Sequence, residues 1–289
     1  MTEPIFTIFT PTYNRAHTLT RLHESLKIQS FKNFEWLIVD DGSTDETESL
    51  IQTFIAESEL NIRYYKQENQ GKHIAINTAL EFLKGKYFLT VDSDDYLVEN
   101  ALSVCENLVQ KIDEKPEFGG FSFIRFSDQI QFDKEKYGNK EWTELNTYQW
   151  EFKGEMSFVF KSEVVQKFPF PVYKDEKFCQ EAVILLPIFK NYKILFTDHV
   201  LAHGDYLEDG LSQNLYKRLL ENPRYAMLSV LTKFNFEKNK KNKKQLAKTY
   251  WDLALKTQKK SNLLKIASKM SIYYTIFAFA NTFSKNNKN

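Results

Sequence analysis

Tyr87-Phe88-Leu89-Thr90-Val91-Asp92-Ser93-Asp94-Asp95 is a short apolar run that ends in carboxylates at i and i+2. A hydrophobic strand with this ending cannot bury its charges unpaired, so it delivers them to water, to basic groups or to a divalent cation. A solvated turn with a helix N-cap uses the same residue types. The sequence upstream separates the two readings.

Two similar junctions lie there. Ile5-Phe6-Thr7-Ile8-Phe9 stops at Thr10-Pro11-Thr12-Tyr13-Asn14-Arg15, and Phe34-Glu35-Trp36-Leu37-Ile38-Val39 stops at Asp40-Asp41-Gly42-Ser43-Thr44-Asp45. Each is followed by apolar residues at helical spacing: Leu19, Leu22 and Leu26, then Leu50, Ile51 and Phe54. A third helical pattern, Ile74, Ala75, Leu80 and Leu83, follows Asn69-Gln70-Gly71-Lys72. Repetition of strand, loop and helix specifies an α/β fold with a mostly parallel sheet flanked by helices. Its ligand site lies beyond the carboxyl ends of the strands, where these loops converge.

Taken together these segments resemble the family 2 glycosyltransferases of the GT-A fold, a Rossmann-like, mostly parallel mixed sheet. Thr10 to Arg15 is similar to the family's opening loop, Val39 to Asp45 to its uridine-binding segment, and Asp92-Ser93-Asp94 to its metal-binding triplet. Pro169-Phe170-Pro171, Gln180-Glu181-Ala182 and Tyr206 to Ser212 resemble a bacterial subgroup that builds surface polysaccharide. The likeness runs from the first strand to about residue 215, and residues 119–155 carry no recognisable motif.

The resemblance implies an inverting, metal-dependent enzyme that moves a sugar from a UDP-sugar to a glycan or lipid-linked acceptor hydroxyl. Asp41, with Asp40 beside it, would meet the uracil; Thr10, Pro11 and Tyr13 would wall the base, and Arg15 would reach phosphate. Gly71 permits close backbone approach at a helix N-terminus, and Lys72 adds a full charge, so Asn69, Gly71 and Lys72 are expected to face the diphosphate. Asp94, with Asp92 and the intervening Ser93 near the ribose, would hold Mn2+ or Mg2+ as a Lewis acid for the leaving diphosphate. His203 is a further candidate metal ligand. Glu181 is the candidate general base, ahead of a helical apolar pattern through Val183, Leu185, Leu186 and Ile188. Many family members carry Glu-Asp where this chain has Glu181-Ala182, which leaves one carboxylate for the role. Asp209 to Ser212 is expected to close over substrate, and Trp142, Trp150 and Phe152 serve either as core or as an acceptor platform.

Two other functions use related features. A nucleotidyltransferase has a similar sheet and acidic site, but its phosphate loop is Gly-rich, and Thr10 to Arg15 contains no glycine. A catalytically silent sugar-nucleotide-binding scaffold would also retain the loops.

At 289 residues the chain matches one catalytic domain and an appendage. Cys105 and Cys179 make no disulfide framework, and no signal-peptide pattern precedes the first strand, so a cytoplasmic location is expected. The charge is split: residues 233–289 hold 14 Lys, no Arg, one Glu and one Asp, a net of +12, against −11 for residues 1–232. The expected division is therefore a catalytic domain over 1–232 and a basic, helical extension over 233–289, with a mobile connection at the Lys/Asn-rich stretch 237–244.

Leu263, Ile266, Ala267, Met270, Tyr273, Tyr274 and Phe277 lie near helical spacing among lysines, which favours an anionic membrane surface over nucleic acid as the partner. The uncharged run 271–284 is too short to span a bilayer, so a peripheral position at the inner face of the plasma membrane is expected. Packing of this tail on the protein body, or on a second copy in a homo-oligomer, is the competing use.

Overall fold

The computed structural model describes residues 3–57, 59–127, 141–142, 155–204, 214–257, 269–271 and 273–278. Packing divides the chain into two units: Met1–Pro169 with Asn191–Gly210, and Phe170–Lys190 with Leu211–Asn289.

The first unit contains the sheet. Its parallel half comprises β1 (Phe6–Thr12), β2 (Phe34–Asp40), β3 (Ile62–Lys66) and β4 (Tyr87–Thr90), in the spatial order β3-β2-β1-β4. Side chains alternate between faces along a strand. Phe6, Ile8, Phe34, Trp36, Ile38, Tyr87 and Leu89 join Leu19, Leu22 and Leu26 of α1 (Ala16–Lys27), Phe54 of α2 (Thr47–Glu57) and Leu102, Cys105 and Leu108 of α4 (Ala101–Ile112) in one buried cluster. The intervening Phe9, Leu37, Val39 and Phe88 are buried too, with the Phe9 and Phe88 rings stacked at 5.5 Å. That face receives α3 (Lys72–Glu81), which packs on β1 and β2 and buries Ala75, Ile76, Ala79 and Leu80. Coverage of both faces is why these strands read as continuous apolar runs.

The sheet then turns mixed. β8 (Glu155–Lys161) runs antiparallel to β4 and to β6 (Phe118–Phe126), and β9 (Lys193–Gly204) runs parallel to β6. β5 (Asp95–Leu97) and β7 (Glu141–Trp142) pair antiparallel with β9. A short helix, α5 (Ser162–Val165), follows β8. This is the expected GT-A architecture. Glu35 lies fully inside it and accepts from Thr7 Oγ1 at 2.6 Å, Arg63 Nη1 at 2.9 Å and the Lys84 N–H at 3.1 Å. Removing one partner of such a buried pair typically costs about 3–5 kcal/mol.

The second unit carries α6 (Ala182–Asn191), α7 (Leu215–Glu221), α8 (Pro223–Phe236) and α9 (Lys240–Thr257). Ala226, Met227, Val230 and Phe234 of α8 pack with Ala247, Tyr250, Trp251, Leu253 and Ala254 of α9, and Met270 and Ala278 complete the cluster. The expected division after residue 232 falls inside α8. The stretch 237–244 is not a mobile connection, because α9 begins at Lys240. Asn239 caps it: its Oδ1 accepts from the Lys241 N–H at 2.8 Å and its carbonyl from the Lys243 N–H at 2.9 Å. Burial of Trp251 and Tyr250 then supplies the stability that the lysines cannot. In the expected tail helix, residues 273–278 are helical; Leu263, Ile266 and Ala267 lie outside the described residues.

Candidate functional site

β1, β2 and β4 end side by side, so the loops that follow them meet at one edge of the sheet. The loop after β1 and the loop after β2 are tied together. Asn14, in the left-handed region at φ 53°, donates its N–H to Ser43 Oγ at 2.9 Å and accepts from the Thr44 N–H through Oδ1 at 2.8 Å. Arg15 donates its N–H to Thr47 Oγ1 at 3.0 Å. Tyr13 at the crest of the loop is 46% exposed, which leaves its ring available to a planar ligand.

Asp41 is buried, and its carboxylate holds the loop before α3. Oδ1 accepts from the Gln67 amide and the Gln70 N–H, both at 2.8 Å, and Oδ2 accepts from the Gly71 N–H at 2.7 Å. Gly42 allows this approach, since it sits at φ 83° and a Cβ there would lie 2.9 Å from the Asn69 nitrogen. Gly71 (φ 96°) precedes the first residue of α3. Asp40 is fully buried and uses both oxygens inside the protein, accepting from the Ser43 N–H at 2.8 Å and from Tyr64 Oη at 2.8 Å. Thr10 is likewise fully buried within β1, its Oγ1 accepting from Trp36 Nε1 at 2.9 Å, and Pro11 is buried beside it. Thr10 and Asp40 therefore support the floor of the site instead of lining it. The loop expected over Thr10 to Thr12 is the end of the strand itself.

At the end of β4, Lys72 Nζ lies 2.8 Å from Asp92 Oδ2, while Asp92 Oδ1 is buried with no hydrogen-bond partner among the described residues. Burial, and then the charge of Asp92, push the Asp94 carboxyl above the usual carboxylate range; Arg125 and Arg15 act in the opposite direction. Ser93 is buried between the two acids. Arg21 of α1 donates to the Asp94 carbonyl at 2.5 Å and lies over the Tyr96 ring at 4.7 Å. An orphaned carboxylate oxygen beside a second, incompletely neutralised carboxyl is the donor set that a hard divalent cation takes, so the residues fit Mn2+ or Mg2+.

The next acid behaves differently. Asp95 begins β5 and receives Arg125 of β6 through both oxygens, at 2.7 and 2.6 Å, while the third guanidinium nitrogen reaches Glu155 at 2.7 Å. Gly204 opposes Asp95 in β9, and a Cβ there would collide with both Asp95 Oδ1 and Arg125. The sequence reading missed Arg125 because it stands in the stretch without a motif.

His203 does not join the carboxylates. Its ring stacks on Tyr96 at 5.5 Å and meets Phe126 edge-on at 5.4 Å, and among the described residues no trio of His, Cys, Asp or Glu forms a metal cage. Glu181, in the second unit, is exposed at the start of α6, where its carbonyl accepts from the Ile184 and Leu185 N–H groups at 3.0 Å. The segment before it is bolted to α8. Gln180 Oε1 accepts from Ser229 Oγ at 2.8 Å and Lys233 Nζ at 3.1 Å, and Asn222 Oδ1 accepts from the Lys177 and Phe178 N–H groups at 2.6 and 3.0 Å. Glu176 is buried and accepts from Arg224 Nε at 2.8 Å and the Tyr225 N–H at 3.0 Å. Trp142 is placed in β7 by its backbone pairing alone. Trp150, Phe152, Asp205, Tyr206 and the stretch 207–212 lie outside the described residues, Asp209 to Ser212 among them.

Residues 7–165 match the family model described as glycosyl transferase family 2. A Campylobacter jejuni protein named GalNAc(5)-diNAcBac-PP-undecaprenol beta-1,3-glucosyltransferase is 26% identical over 257 residues, which cover 86% of this chain and 81% of that protein. Other curated relatives, 34–36% identical over 102 to 123 residues, are longer, and the match spans only 15–34% of their length. Among solved structures, S. aureus TarS 1-349 in complex with UDP aligns over 93% of this chain and 76% of its own, with a TM-score of 0.60 at 19% identity. The mannosyltransferase PcManGT from Pyrobaculum calidifontis, in complex with GDP-Man and Mn2+, aligns over 100% and 82%, with a TM-score of 0.56 at 17% identity.

Proposed function

The chain belongs to glycosyl transferase family 2, and on that premise we propose that it is an inverting, metal-dependent enzyme that moves a sugar from a UDP-sugar to a hydroxyl of a glycan or lipid-linked acceptor in surface polysaccharide synthesis. Membership makes the chain a glycosyltransferase and sets aside nucleotidyl transfer. The observation that carries the finer reading is the half-satisfied Asp92 carboxylate, held by Lys72 on one oxygen and orphaned on the other, next to Asp94. The structural neighbours add support, since one was solved with UDP and another with Mn2+ and a nucleotide sugar.

In this reading Tyr13 flanks the uracil and Asp41 meets its N–H, with Gln67 and the loop 69–71 setting the carboxylate's position. Lys72 and Arg15 contact the diphosphate. Asp92 and Asp94 would hold a divalent ion, which supplies Lewis-acid stabilisation of the charge developing on the leaving group. Glu181 takes the proton of the acceptor hydroxyl as its oxygen bonds to the anomeric carbon and the bond from that carbon to the diphosphate breaks, releasing UDP. His203 is left as a packing residue between Tyr96 and Phe126, not a ligand. In this reading the basic part of the chain that follows α8 serves attachment to the inner face of the plasma membrane, and the part before it serves catalysis.

The test is a panel of nucleotide sugars with Mn2+, Mg2+ or chelator, with released nucleoside diphosphate as the readout. UDP release that needs a divalent ion supports the reading. Release of GDP alone would move the donor class, and release undiminished by chelator would remove the metal.

A further inference from the structure

The first turn of α9 and the helical residues 273–278 form one surface in the second unit. Lys243 Nζ lies 5.0 Å from the centre of the Phe234 ring, and Lys244 Nζ lies 4.8 Å from that of Phe277 and 5.7 Å from that of Tyr273. These ammonium groups lie over aromatic rings at cation–π distance, so positive charge borders an apolar patch. Lys240, Lys244 and Lys248 recur every four residues along one side of α9, and Lys238, Lys240 and Lys241 are exposed. The short helical stretch is anchored from beneath by Met270 and Ala278, both buried, and by Tyr274, whose ring meets Phe234 edge-on at 5.0 Å. Its outward side chains are large and apolar: Tyr273 is 57% exposed and Ile276 is 63% exposed.

We propose that this lysine-rimmed Tyr273/Ile276 patch is a docking surface for an anionic lipid bilayer, into whose interface the two side chains insert while the lysines meet lipid phosphates. This deepens the membrane part of the preceding reading and rests on it. Three observations select the occupant. The net charge of +12 over residues 233–289, opposed by −11 over the rest, is complementary to an anionic surface and turns this unit toward it. The apolar side chains project from a fixed support, which suits the interface between headgroups and acyl chains. An exposed isoleucine has no partner on a phosphate backbone, and the segment contains no arginine for base edges, so nucleic acid fits less well. Among the described residues no helix is long and apolar enough to cross a membrane.

The experiment is sedimentation of the full chain with vesicles of phosphatidylcholine alone or containing about 30% phosphatidylglycerol, at low salt and at about 0.5 M salt. The expected result is binding to the anionic vesicles only, lost at high salt. Lys240→Glu combined with Lys241→Glu should weaken it by about tenfold or more, and Ile276→Ser should weaken it with little change in salt sensitivity. UDP affinity, read separately by calorimetry, should not move in either variant, and a full chain that binds UDP yet ignores anionic vesicles would overturn the surface while leaving the donor site standing. Equal binding to neutral vesicles, insensitivity to salt, or retention of duplex DNA without vesicle binding would each overturn the proposal. The wild-type salt titration decides the case even if a variant does not fold.

Discussion

Lys72 and Asp92 form an ion pair at 2.8 Å in which only one carboxylate oxygen is used. The pair links the start of α3 to the end of β4, joining the loop proposed to meet phosphate to the loop proposed to hold a cation. Lys72→Met should therefore affect two ligands in opposite senses. Mn2+ alone should bind as well or better, because the acid pair loses a competing charge. UDP with Mn2+ should bind about tenfold less well, a modest figure because both side chains are partly exposed and screened. Calorimetric titrations of each ligand read the two effects, and weaker binding of Mn2+ alone would make Lys72 a support for Asp92 instead of a phosphate contact.

The Asp94 carboxyl is only partly compensated by Arg125 and Arg15, since burial and Asp92 push it up. Asp94→Ala should remove most turnover while the melting temperature stays level or rises slightly, as the repulsion is relieved. UDP release with saturating Mn2+ measures the first effect and a thermal melt the second. Near wild-type release by the variant would remove Asp94 from the metal assignment.

Asp41 holds the loop before α3, and the proposed function adds a contact with uracil. Its carboxylate accepts from Gln67 and from the Gln70 and Gly71 N–H groups. Asp41→Ala should therefore lower stability as well as UDP affinity, each by roughly 1.5–3 kcal/mol for a lost charge-assisted bond in a buried site. Denaturant unfolding with calorimetry on the same sample tests this. A stability loss with unchanged UDP affinity would make Asp41 a loop anchor alone.

The parallel half of the sheet was legible because burial on both faces writes itself into continuous apolar runs, and the acidic and glycine-containing loops announce themselves at the strand ends. The supports were not. Trp36 and Tyr64 read as ordinary strand residues, yet one holds Thr10 and the other Asp40, the two expected ligand-facing residues that turn inward. Arg125 comes from a strand distant in sequence, and pairing across that separation leaves no local period to read. In 237–244 the lysines suggested a loop because the residues that make α9 helical, Tyr250 and Trp251, lie further along the chain.

His73 follows Lys72 on α3 and is 2% exposed; burial pushes its imidazole down to about 4. His23, buried against Trp36 and Phe54, is shifted the same way by burial. Both are neutral in the folded chain at pH 7 and regain their ordinary basicity when unfolded. Stability is therefore highest above pH 6.5 and falls as the pH drops below it, for His73 down to about pH 4. For His73 alone the loss should reach about 2 kcal/mol by pH 5. Denaturant midpoints at pH 7 and pH 5 should show the decline, and His73→Asn should shrink the difference whatever its absolute stability. An unchanged difference in the variant would mean the imidazole is charged or solvated in the fold.

Glu181 stands where a fixed frame ends. Glu176, Asn222 and the contacts of Gln180 with Ser229 and Lys233 hold the chain up to residue 180, and α6 takes over at Ala182, so the exposed Glu181 side chain has a rigid base on both sides. A general base needs that precision, and Ala182 offers no second carboxylate to substitute for it. Glu181→Gln keeps shape and hydrogen bonding while removing basicity. It should leave UDP and metal binding intact and lower transfer to acceptor by roughly 10²-fold or more. A role in holding the start of α6 would give a different result, with a lowered melting temperature and equal losses in donor binding and transfer, and would return the search for the base to other carboxylates.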